Sequence, residues 1–307
     1  MILRERPDLL HLFIIFRSSV LRRIFPQVMT IMVLSTVIVL AHTWHPGLVP
    51  TFSGAPFALL GIALSVFLGF SNNACYERWW EARKAWGFIN VAGRNLGRRT
   101  LLLEARGPRA IAARQRIVKL LIAFGHVLVV HLRPSASPLH VNRCVPTDLK
   151  SGMTLCRNQP EFLLRAIGTE LAELRNEGLI SDIELQLLDE SPSLLAEALT
   201  TCERVQTTPV PFGYTLLLHR TAYMFCFLLP FGFADILGWV TPLATALVAY
   251  TFFGLDGLAS ELEEPFGTLP NDLPIQALAT NLEIGLLEAL GETHLPAPPE
   301  PVNHILY

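Results

Sequence analysis

Long uncharged runs divide the chain. Residues 25–44, 55–74 and 236–255 contain no Asp, Glu, Lys or Arg, and 212–234 contains only Arg220, beside His219. Each run approaches the ~20 apolar residues a helix needs to cross a bilayer, so each predicts a transmembrane helix. A fifth run, 117–132, is shorter and holds Lys119, His126 and His131; it predicts a helix buried in protein. The run 12–16 is too short to span and predicts an amphipathic helix lying in the membrane interface. Arg4, Glu5, Arg6 and Asp8 before it, and Arg17 after it, do not match a cleavable signal peptide.

Between 75 and 208 the pattern becomes amphipathic. Leu163, Ile167, Leu171 and Leu174 form one apolar helical stripe, and Gly178 is placed to end that helix. Ser181 with Glu184 three residues later is a capping-box pattern opening the next. Ser191 followed by Pro192 predicts a further helix start, with proline at the first helical position, and Leu195, Leu199 and Cys202 continue its face. Only 133–157, with Pro134, Pro138 and Pro146, reads as irregular. Strand-like alternation and internal repeats are absent from the sequence. The expected fold is all-α: a polytopic integral membrane protein with four transmembrane helices per subunit and a helical cytoplasmic region. Its segments are an interfacial N-terminus (1–24), a first transmembrane hairpin (25–74), the cytoplasmic helices (75–208), a second hairpin (211–255) and an acidic C-terminal segment (256–307).

Composition agrees with a membrane protein. Hydrophobic residues make up 51% of the 307 and charged residues only 16%, against roughly 25% in an average soluble chain. The net charge of −2 says little, but its distribution sets an orientation. Arg17, Arg22 and Arg23 precede the first span, and Lys and Arg crowd 78–119, whereas 45–54 and the turn at Asp235 have neither. The positive-inside rule then predicts a multi-pass protein of the plasma (inner) membrane with both termini cytoplasmic. After Arg220 no Lys or Arg occurs, so a basic centre and an acidic end are poised to attract each other.

Candidate catalytic chemistry is sparse. The sequence has no Walker loop, no HExxH and no GxSxG, so no enzyme, cofactor or nucleic-acid partner is expected. The five cysteines lack a paired spacing and read as reduced thiols. A zinc set of His140, Cys144 and Cys156 has no CxxC pair to support it, and no metal site is expected.

The second span carries most of the functional signal. Ile62, Val66 and Phe70 fall at i, i+4 and i+8 and share one helix face, flanked by the small residues Gly61, Ala63, Ser65 and Gly69. Small residues allow close helix approach, which makes the stripe a candidate packing seam. Around a symmetry axis the same stripe would make stacked apolar rings that gate by dewetting. Ser71, Asn72 and Asn73 would then lie where the pore widens into water.

The strings Ala55-Pro56-Phe57, Phe67-Leu68-Gly69-Phe70, Arg78-Trp79-Trp80-Glu81-Ala82-Arg83, Thr208-Pro209-Val210-Pro211-Phe212, Tyr214-Thr215 and Glu264-Pro265-Phe266-Gly267 resemble, in order and separation, the bestrophin family, especially its bacterial branch. The resemblance covers about residues 19–292. It implies a homopentameric ion channel whose partners are further copies of itself, membrane lipids and monovalent ions. It puts a hydrophobic neck at Ile62, Val66 and Phe70, with Val66 standing where the family is aromatic, and a cytoplasmic aperture at Ile183 or Ile180. Eukaryotic bestrophins carry a calcium clasp after the Pro-Phe-Gly string. Here only Asp272 is acidic in the matching stretch, whereas calcium takes six to eight oxygen ligands. The resemblance leaves open chloride, as in eukaryotic members, or sodium and other cations, as in the bacterial branch. A secondary transporter and a non-conducting membrane scaffold are the alternatives.

Overall fold

The computed structural model describes residues 1–2, 20–45, 47, 50, 52 and 54–306. The expected interfacial helix at 12–16 lies outside them. Among the described residues the regular structure is helical, apart from isolated antiparallel bridges that pair Ile305 with Ile2 and with Val302. Two compact units result: residues 4–79 with 209–265, and residues 1–3 with 80–208 and 266–307.

The first unit is built from α1 (Leu21–Trp44), the opening part of α2 (Gly54–Arg99), α8 (Phe212–Leu237) and α9 (Thr241–Glu263). At 1.5 Å per residue a helix of 24 residues covers about 36 Å, enough for a hydrocarbon core of about 30 Å. Several hydroxyls inside these helices turn back on their own carbonyls: Thr30 donates to Pro26 O, Ser65 to Gly61 O and Thr251 to Leu247 O. No water is needed to satisfy them. The unit's core joins Ile24 and Ile31 to Leu64, Leu68, Phe225, Leu229, Phe252 and Phe253. Gly232 permits one close approach there, since a Cβ at that position would lie 2.7 Å from the Phe57 ring. Gly238, at φ +49°, turns α8 into α9 through a short 3₁₀ segment, and Pro242 sits in the first turn of α9.

The second unit holds the rest of α2, α3 (Pro108–Leu132), α4 (Leu139–Cys144), α5 (Thr147–Thr154), α6 (Gln159–Asn176), α7 (Asp182–Thr207) and α10 (Ile275–Ala289). Length and composition alone would let α3 cross a membrane, but 72% of its most apolar stretch is buried. It is the central core helix, as its interrupted apolar run predicts. The stripe Leu163, Ile167, Leu171 and Leu174 is fully buried. Gly178, at φ +73°, ends α6 in a Schellman-type turn in which Leu179 N donates to Leu174 O at 2.9 Å. Ser181 and Glu184 close the expected capping box of α7.

The helix that carries the second span runs on past Ala74 to Arg99 without a break, because nothing after Ala74 removes a backbone donor. Two expectations differ from the structure. Ser191-Pro192 does not start a helix: Pro192 lies inside α7. Its ring is buried on the same face as Leu188 and Leu195, and Arg99 Nη1 donates to the Leu187 carbonyl at 2.8 Å beside the lost bond. The stretch 133–157 is not wholly irregular, since Pro138 and Pro146 precede α4 and α5 as N-caps.

The basic centre is also neutralised differently from the expectation. Arg109 pairs with Glu170, Glu173 and Glu177; Arg116 with Asp148 and Glu170; Arg106 with Glu184; and Arg99 with Glu190. Asp148 belongs to α5, Glu170 and Glu173 to α6, and Glu184 and Glu190 to α7, while Glu177 is the C-cap of α6. From the acidic C-terminal segment, Glu283 pairs with Arg143 at 2.7 Å.

Candidate pore-lining helix and the polar groups around it

α2 presents two opposite faces in its membrane part. Leu64, Leu68, Ser71 and Cys75 are buried in the unit's own bundle. Ile62, Val66 and Phe70 are 65%, 51% and 64% exposed. Residues two apart on a helix differ by about 200° in direction, which separates the stripes. The packing seam within the chain is therefore the Leu64–Leu68–Ser71 face, and the Ile62–Val66–Phe70 face is left bare.

The three polar residues below the stripe divide likewise. Ser71 is buried. Asn72 donates to Leu68 O at 3.0 Å and to Leu255 O at 3.1 Å, tying α2 to α9. Asn73 is exposed, with its amide 3.4 Å from Glu77 Oε1. Of the two aperture candidates, Ile180 is 3% exposed and Ile183, in the first turn of α7, is 81% exposed. The carboxylates flanking Ile183 are both paired, Asp182 with Arg175 at 2.8 Å and Glu184 with Arg106. The Arg106 guanidinium, with the Ser181 amide and hydroxyl, pulls the Glu184 carboxyl down to about 2.

His219 Nδ1 lies 2.6 Å from Asp256 Oδ2, across α8 and α9, and the His219 ring sits 4.5 Å from the Tyr223 ring. Arg220 is exposed and makes no ion pair among the described residues. Near the end of α9, Glu263 accepts from Val210 N at 3.1 Å, and its carbonyl accepts from Arg78 Nε at 3.3 Å. These contacts give the Val210-Pro211 and Arg78 strings a local reason: they fix the entry to α8 against the end of α9.

In the second unit Arg133 is buried and donates to the carbonyls of Phe266 and Leu273, at 2.9 and 3.2 Å. Asp272 accepts from Leu269 N at 2.6 Å, the position of a turn cap. Cys144 lies beside Glu283, not Cys156, whose sulfur accepts from Arg165 at 3.8 Å. Burial, and then Glu283, push the Cys144 thiol up to about 11. His126, Glu283 and Cys144 meet in space although no spacing in the sequence announces them.

The family model for bacterial and fungal bestrophin proteins matches residues 1–288. The chain belongs to the bestrophin family. This bestrophin is 42% identical to a voltage-dependent anion channel-forming protein of Mesorhizobium japonicum, over 98% of this chain and 94% of that one. It is 37% identical to a protein of the same description from Escherichia coli K12, over 99% of each. Its structure is similar to the crystal structure of a bacterial bestrophin homologue from Klebsiella pneumoniae, with a TM-score of 0.83, 38% identity, 88% of this chain and all of that one covered. Its fold is thus that of a bestrophin membrane protein, and its relatives are described as ion channels.

Proposed function

We propose that this bestrophin is one subunit of a homopentameric channel of the inner membrane that conducts small monovalent ions passively. The bare apolar face of α2 carries this reading: Ile62, Val66 and Phe70 are exposed in a subunit whose own core uses the opposite face. Five such faces around an axis give three stacked hydrophobic rings, and a ring of that kind excludes water until it widens. Asn73 stands on the cytoplasmic side of the rings, and Ile183 forms the second constriction. The burial of Ile180 and Ser71 supports assigning them to the subunit core and not to the pore wall.

Reconstitution into planar bilayers tests the reading, together with native mass spectrometry in mild detergent. Discrete single-channel currents are expected, from an assembly near five times 34.1 kDa. A monomer in every detergent, or saturable flux without unitary currents, would remove the pore. The reversal potential under a NaCl gradient reads the sign of the carried ion. The described names of the relatives favour an anion; the carboxylates beside Ile183 are already paired and supply little net field of either sign.

A further inference from the structure

We propose that His126, Cys144 and Glu283 form a binding site for one zinc ion, apart from the pore. The three side chains come from α3, from the last residue of α4, and from α10, and their ligand atoms lie within 4.8 Å of one another. His126 Nε2 is 2.7 Å from Glu283 Oε2, and Cys144 Sγ is 4.0 Å from Glu283 Oε1. A nitrogen, a sulfur and a carboxylate oxygen suit zinc, which binds these donors tetrahedrally at about 2.0–2.3 Å, and do not suit calcium or magnesium. Three protein ligands leave the fourth position to water.

The surroundings are those a bound ion would use. His126 and Glu283 are nearly fully buried, at 1% and 3% exposure, so a small movement of Cys144 toward them closes the donor set. Arg143 holds the Glu283 carboxylate at 2.7 Å and keeps it in place while one oxygen turns to the metal. The Gln276 side chain lies 3.4 Å from His126 Nδ1; with its amide oxygen turned inward it accepts the Nδ1 proton and leaves Nε2 for the ion. The His140 ring stacks on His126 at 4.9 Å. The Arg143 side chain is half-exposed and Cys144 and His140 are partly exposed, which opens a route from solvent. Binding exchanges the Cys144 thiol proton for the metal, releases that proton to water, and oxidises nothing.

Hydrogen bonds already satisfy Glu283 without metal, so zinc binds to the folded chain and is not needed to fold it. Its effect is to staple α4 to α3 and α10. A helix of six residues has too few internal hydrogen bonds to hold itself, and the staple therefore raises thermal stability.

The test uses the full-length protein in detergent, stripped with a chelator and then exposed to zinc chloride or cobalt chloride. About one zinc per chain is expected in the wild type and in Cys156→Ser, with a higher melting temperature and a thiolate-to-cobalt charge-transfer band. Cys144→Ser should lose the band and weaken zinc at least about tenfold. Should that variant fail to assemble, wild-type alkylation decides: zinc should protect Cys144, and not Cys156, from iodoacetamide. Absence of zinc above the stripped blank would overturn the proposal. So would an unchanged metal ratio in Cys144→Ser, or equal protection of both thiols.

Discussion

At the scale of single residues, spacing identifies a face and burial says which way it points. The i, i+4, i+8 pattern singled out Ile62, Val66 and Phe70, but the same helix carries the equally regular Leu64, Leu68 and Ser71, and only the fold separates a bare stripe from a packed one. Three consecutive residues cannot share one helix face, and of Ser71, Asn72 and Asn73 the fold buries Ser71. Replacing Ile62, Val66 and Phe70 together by alanine should widen and wet the rings, raising conductance or open probability while the oligomer persists. Leu68→Ala, on the packed face, should cost about 2–5 kcal/mol as a buried large-to-small change and reduce the yield of assembled protein without raising current. Loss of assembly in the triple variant would return its stripe to ordinary packing. The capping box was legible outright, because Ser and Glu three apart need only their own helix. Its electrostatics were not, since Arg106 arrives from a different part of the chain. Glu184 falls from 4.5 to about 2 on folding. A carboxyl depressed in this way stabilises above its unfolded value and loses that contribution as pH falls through the folded one. The melting-temperature gap between wild type and Glu184→Gln should therefore be full above about pH 5 and shrink between pH 4.5 and 2. A gap constant over that range would count against the pairing.

Elements were legible where the signal is local. Gly178 was identifiable as a terminator because a C-terminal turn needs a left-handed residue, and it has φ +73° with the bonds of such a turn. Gly178→Ala should destabilise the second unit by about 1–2 kcal/mol, the cost of a Cβ in that conformation; chemical denaturation of the detergent-solubilised protein would measure it. Pro192 shows where local signals fail. Ser-Pro marks a helix start on its own chemistry, but the burial of Leu188, Pro192, Leu195 and Leu199 on one face, with Arg99 taking a nearby carbonyl, keeps α7 in one piece. The length of α2 was hidden too, since charge after Ala74 marks a membrane boundary and not a helix end. Gly93 and Gly97 in that extension meet Leu282 and Leu286 of α10, with an added Cβ 3.0 and 2.8 Å from their methyls. Neither glycine carries a sequence signal beyond its identity.

For the whole molecule, the transmembrane character and the helical class could be read from composition and run length, whereas charge along the sequence was a poor guide to charge in space. In the basic stretch Arg99, Arg106, Arg109 and Arg116 are paired with Glu170, Glu173, Glu177, Glu184 and Glu190 from α6, its C-cap and α7, so these four arginines are not a free positive lining. Orientation rests on a different use of the same charges. The positive-inside rule predicts both ends in the cytoplasm, and the pairing of the ends is a separate constraint on sidedness. The Met1 ammonium donates to Leu306 O at 2.6 Å, and Ile2 bridges to Ile305. Two ends that pair with each other within one unit stand on the same side of a membrane. Tags at either end should therefore behave alike: protease added to intact cells should spare both, and protease added to inverted vesicles should remove both. Cleavage of one tag alone would contradict the pairing of the ends. Cleavage of both in intact cells would keep the pairing and reverse the orientation, placing the arginine-rich unit outside.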